Sequence, residues 1–295
     1  MSITVLGLVI AIAIYLMTRW HGELNLIYSY QTNTTLLTHR YAKAPLKIQR
    51  SFYPEGTEIC HSVLLHTAGG VVGGDNLTQT IHLQNHAQTV ITTTAAAKIY
   101  RSNGSIATQT INIQLEDNAC LEWFPQETII FDGAVYQQDL RVELGQNARW
   151  FAWDITRLGR SARGERFRTG EWRSHTEVWR NGSPLWIDRQ GLIGNEEMLD
   201  SPQGLKGYPV IASLICIGQP VSATIFERIR HRWHEGNYQG ETGLTQTLED
   251  GLLCRYRGFS TTEARHWLTL VWHDLRQSLL LRSPIIPRVW GGWTN

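Results

Sequence analysis

The sequence predicts a mainly β fold, built from many short strands in packed, largely antiparallel sheets, with about two α-helices in the C-terminal third. Three observations carry this. Apolar residues alternate with polar ones from about residue 24 to residue 189, the period-2 pattern of strands with one face buried. Turn residues (Pro54, Gly56, Gly133, Gly145, Asn181-Gly182) punctuate that stretch at short intervals. Convincing period-3.6 stripes occur only after residue 200.

Taken in order, residues 24–30 and 34–38 are short β-prone runs, 44–50 is an extended run with Pro45 near its start, and 59–66 is a strand candidate. Leu77, Ile81 and Leu83 share one parity, as do Ile111, Ile113 and Leu115, and residues 90–94 are β-branched. Runs at 119–124, 128–131 and 136–144 extend the pattern. In 150–156, Phe151, Trp153 and Ile155 face one way and Trp150, Ala152 and Asp154 the other. Asn181-Gly182 is a hairpin turn between strands at 171–180 and 185–189. A strand at 210–218, a helix at 221–235, a hairpin around Glu249-Asp250-Gly251 and a helix at 261–281 complete the chain. Ser260 and Glu263 form a capping box for the last helix. The chain divides into a hydrophobic extension (1–17), a mainly β region (18–200) and a β-α-β-β-α part of the same fold (201–295).

Composition narrows the function classes. The chain has 295 residues, 42% hydrophobic and 18% charged, with twelve tryptophans and a formal net charge of +1. A balance this neutral offers nothing for nucleic acid. The tryptophans imply broad apolar packing or an interaction surface. Cys60, Cys120, Cys216 and Cys254 are too dispersed for a zinc site and read as buried thiols in a reducing compartment.

Residues 3–17 carry no charge and fall just short of the ~20 residues of a membrane span. There is no basic segment before the run and no A-x-A site after it, as a cleaved signal would require. It reads either as an extension upstream of a true start at Met17 or as an anchor with Arg19 on the cytoplasmic side.

Catalytic motifs are wanting: there is no GxSxG turn and no Walker A loop. The stretch HTAGGVVGGD, residues 66–75, is not GxGxxG, because its glycines are paired and no helical pattern follows. Cys60 and His61 point to opposite faces of a strand, as do His61 and His66, which opposes a shared metal site. His231 and His234 sit at i, i+3 on a helix and read as a solvated face. Asp75, Asp154 and Asp188 lie among bulky apolar neighbours, where a carboxylate needs a partner. Either each pairs with an arginine, with Arg101, Arg160, Arg163 and Arg189 available, or they line a polar interior path that holds a divalent cation weakly.

Several segments together resemble the urease accessory protein UreD (UreH) family. They are PLKIQRSFYPEG (45–56), LLHTAGGVVGGD (64–75), AKIYRS (97–102), LEWFPQE (121–127), WDITRLGRSARGE (153–165) and SPIIPRVW (283–290). The chain departs from the family at His66-Thr67-Ala68 and at 94–97, and residues 1–16 lie outside the resemblance. The resemblance implies a cytoplasmic, non-catalytic accessory protein of nickel urease maturation, mainly β with two helices. It implies UreF, the GTPase UreG and urease apoprotein as partners, and no tightly bound cofactor. It also implies a transient Ni2+ path on which Asp75, Asp154 and Asp188 fall. A pure interaction platform without nickel passage, or a membrane-tethered binding protein, remains an alternative reading.

Overall fold

The computed structural model describes residues 20–160, 163–247 and 251–290. The N-terminal run, with both its readings, lies outside the described residues, as does most of the 249–251 turn. No helix among the described residues is long and apolar enough to cross a membrane.

The protein is mainly strand, folded as two stacked sheets with helices against one of them. Sheet I has seven strands in the order β14 (Ser183–Ile193), β13 (Glu171–Arg180), β11 (Val135–Leu144), β8 (Ala107–Leu115), β5 (Asn76–Leu83), β1 (His21–Gln31) and β2 (Thr34–Lys43). Sheet II runs β16 (Glu241–Thr247), β17 (Gly251–Gly258), β15 (Val210–Ile217), β12 (Arg149–Leu158), β9 (Cys120–Phe124), β6 (Gln88–Thr93), β4 (Ile59–His66) and β3 (Leu46–Ile48). Two short strands, β7 (Ala97–Ile99) and β10 (Thr128–Ile130), join its flank through β12.

Strand direction departs from the expectation of largely antiparallel pairing. The sheets are mixed, and their centres are parallel: β1-β5-β8-β11-β13 in one and β4-β6-β9-β12 in the other. The cause is the path of the chain. From β4 to β13 it crosses to the opposite sheet at nearly every connection, so the in-sheet neighbour lies two strands on and runs the same way. Antiparallel pairs survive where consecutive strands stay in one sheet, as in the β1–β2, β3–β4, β13–β14 and β16–β17 hairpins. Apolar alternation reports which face is buried and is silent on direction.

The burial patterns separate the sheets. Strands of sheet I alternate, as in β5 and β8, because only their inner face is covered. Inner strands of sheet II such as β4, β9 and β15 are buried on both faces and read as near-continuous apolar runs. The parity read for β12 holds: Trp150 and Ala152 enter the core between the sheets, whereas Phe151, Trp153 and Ile155 enter the core under the helices.

Among the described residues three helices follow or interrupt the late strands: α1 (Glu196–Asp200), α2 (Ala223–Glu235) and α3 (Thr261–Leu279). The one-turn α1 has no periodic signal and was not anticipated. The α3 cap is as expected, with Ser260 Oγ accepting from the Glu263 amide. Trp267 and Val271 of α3 are fully buried against sheet II, so this stripe is core and presents no docking surface. All four cysteines are free and buried, and burial pushes the Cys120 thiol up to about 12.

Candidate functional site

A cavity of about 460 Å³ lies between the sheets. Its walls include Leu77, Ile111, Leu140 and Trp150, but also Gln79, Gln109, Gln138, Ser174, Thr176, Gln190 and Ser213. A core filled only for stability would carry few such groups. Some are unsatisfied: the Gln79 side chain, only 6% exposed, makes no hydrogen bond, and Trp150 Nε1 is buried without a partner. Buried donors and acceptors of this kind require water or a polar guest.

Asp154 and Asp188 both line this cavity, from opposite sheets. Asp154, on β12, accepts from Gln138 Nε2 at 3.2 Å and from Thr156 Oγ1 at 3.2 Å. Burial raises its pKa; the two hydrogen bonds act the other way and the charge of Asp188 adds to the rise. Asp188, on the edge strand β14, accepts from Gln190 Nε2 at 2.7 Å and pairs with Arg255 Nη2 at 2.7 Å. The same guanidinium donates to Ser213 Oγ at 3.1 Å.

Asp75 stands apart. It is 1% exposed and does not line the cavity. Its Oδ1 accepts from the Trp20 amide and its Oδ2 from the Val72 amide, each at 2.9 Å. It therefore caps the glycine turn and ties it to the start of β1. That turn is the cavity wall at Gly69, Gly70 and Val71. Here the glycines are needed for close approach: a Cβ on Gly70 would lie 2.4 Å from the Tyr100 ring, and one on Gly73 would lie 2.2 Å from Ser102 Oγ.

Three of the four arginines expected to neutralise these acids bind elsewhere. Arg101 pairs with Asp132, Arg160 with Glu165, and Arg189 donates to His175. The cation that meets Asp188 is Arg255, 67 residues away, and nothing in its local sequence marks it. His66 lies away from Cys60 and His61 and borders the cavity. Its Nδ1–H donates to the Ala68 carbonyl at 3.2 Å, which leaves Nε2 as a lone pair, buried and unpartnered. His61 instead binds Glu55 at 2.6 Å beneath α3. Among the described residues no group of three or more His, Cys, Asp or Glu could hold a metal ion together. Asp154, Asp188 and His66 Nε2 border one cavity without forming a closed ligand set.

The chain matches the family described as "UreD urease accessory protein" over residues 21–291. It belongs to that family. Curated relatives named "Urease accessory protein UreD" align over nearly their whole length. The one from Nostoc punctiforme is 58% identical over 92% of this chain and 96% of the relative. That from Microcystis aeruginosa is 53% identical over 93% and 100%, and that from Thermosynechococcus vestitus 47% over 93% and 99%. Membership gives this UreD family chain an accessory role towards urease.

Proposed function

We propose that this chain is a non-catalytic urease maturation factor of the cytoplasm. In this reading it acts with UreF and the GTPase UreG on urease apoprotein, and the cavity between its sheets passes Ni2+ during GTP-dependent insertion. The observation that carries the proposal is that Asp154 and Asp188, from opposite sheets, share one cavity with unsatisfied polar groups. Ni2+ is the cargo. Asp154 and Asp188 would meet it as carboxylate oxygens and His66 Nε2 as a nitrogen donor. Gln79, Gln109 and Gln138 would hold the water that travels with it. Asp75 would act from outside the cavity, by holding the glycine wall in place.

Few anionic ligands per position suit transport: a conduit must release what it binds, and one or two ligands bind a first-row divalent cation weakly. The test is urease activation in limiting nickel by Asp154→Asn and Asp188→Asn chains, with co-purification of UreF and UreG as the control. Each variant is expected to assemble normally and to activate about tenfold more slowly, the scale of losing one supporting group at a metal site. Activation at the parental rate by both would remove the nickel path and leave the platform reading.

A further inference from the structure

We propose that Arg255 is a removable counter-ion, which holds the cavity closed to divalent cations until its side chain swings outward over Gly243. The inference rests on the nickel reading above and concerns how that passage opens.

Position is the first argument. Sheet I ends at β14, and the Asp188–Arg255 contact bridges the two sheets at that edge. Across sheet II, Asp154, Ser213, Arg255 and Gly243 stand in one register row on neighbouring strands. Arg255 therefore lies just beyond Ser213, the residue that borders the cavity between it and Asp154. Its guanidinium binds Ser213 Oγ and one oxygen of Asp188, so it bridges a carboxylate that faces the passage to the opposite wall.

Charge is the second. With Arg255 in place, the Asp154–Asp188 pair has a fixed cation bound to one of its members. A divalent ion approaching Asp188 meets repulsion as well as attraction and must displace a 2.7 Å charge-assisted hydrogen bond. With Arg255 withdrawn, two carboxylates face the cavity with only neutral donors, Gln138, Thr156 and Gln190.

Room to move is the third. The Arg255 side chain is 37% exposed, against 14% for Asp188, so the cation is the partner on the solvent side. The residue opposite it on edge strand β16 is Gly243, where an added Cβ would meet no atom within 4 Å. A rotamer change carries the guanidinium out over this gap with the strands unmoved. Only a weak pair need break, as partly exposed ion pairs are screened and entropically costly to hold.

Equilibrium dialysis of the isolated chain against nickel sulfate at 0.15 M salt tests the gate. Arg255→Met is expected to bind Ni2+ about threefold to fivefold more tightly than the parent, since a gate held shut by a partly exposed ion pair reduces the affinity by its open fraction. Adding Asp188→Asn to that variant should abolish the gain. Gly243→Val keeps both charges, fills the outward route and should weaken Ni2+ uptake. Equal affinity of the parent and a folded Arg255→Met chain, or a gain that survives Asp188→Asn, overturns the gate. Should Arg255→Met fail to fold, unchanged uptake by Gly243→Val overturns it. Loss of activation by Asp154→Asn and Asp188→Asn, alongside unchanged Ni2+ binding by Arg255→Met, would leave the passage standing and remove only the gate.

Discussion

The two faces of sheet II treat buried charge in opposite ways. Under α3, Arg276 is wholly buried between Glu55 and Glu122, 2.7 Å and 3.2 Å away, and it donates a further bond to the Ser283 carbonyl at 3.1 Å. Trp272 Nε1 supplies Glu122 at 2.5 Å, and His61 supplies Glu55. Around this knot Trp290 stacks on Trp153 at 4.8 Å, edges Trp272 and Phe124, and donates to Thr92 at 2.9 Å. On the cavity face the carboxylates accept from neutral amides and hydroxyls, and the cation paired with Asp188 is the solvent-side Arg255. Charges enclosed on all sides by opposite charge and aromatic rings make a permanent joint. Charges beside a void, with few and partly exposed partners, are held less firmly.

Equal costs for equivalent arginine losses would break this contrast. Arg276→Met leaves Glu55 and Glu122 buried without their shared cation and should cost about 3–5 kcal/mol in urea unfolding. Arg255→Met should cost less than about 1 kcal/mol, because its pair is partly solvated. Trp290→Ala should cost about 3 kcal/mol or more, read as a fall in Tm, by emptying the stack that holds the C-terminal segment on sheet II.

Glu55→Gln sharpens the comparison through pH. Burial alone would raise the Glu55 pKa, but His61 and Arg276 overcome it and hold the carboxyl below its usual value. The folded chain thus releases this proton more readily than the unfolded one. Its stabilisation is complete above the unfolded value of about 4.3 and disappears as pH falls through the lower folded value. The variant should therefore be less stable than the parent at pH 7 and converge with it in acid, as followed by unfolding at a series of pH values. The smallest effect is expected on the cavity face. At neutral pH Asp154→Asn removes a carboxylate whose charged form is disfavoured by burial, and should leave stability unchanged or slightly raised in urea unfolding. A large loss instead would make Asp154 part of the permanent framework.

Much of this was readable in the residues. Strands 59–66 and 171–180, the Asn181-Gly182 turn and the capped α3 follow from period, turn chemistry and capping alone. So does the two-faced character of β12, which put Asp154 on the side of Trp150. What eluded reading depends on chain path. Parallel pairing arises from crossings between sheets, which leave no mark on any one strand. The Asp188–Arg255 pair joins the edge strand of one sheet to the penultimate strand of the other, and the two meet only once both sheets are complete. Asp75 looked like a companion of the other two acids because acid after glycine is common to turns and sites alike; its two backbone bonds place it behind the wall.

The proposed nickel passage is most directly examined by anomalous scattering at the nickel edge, from crystals of the parent and Arg255→Met chains soaked in Ni2+. The expected result is a peak between Asp154 and Asp188, stronger in the variant. A cavity empty of nickel in both, with peaks only at surface histidines such as His231, would contradict it.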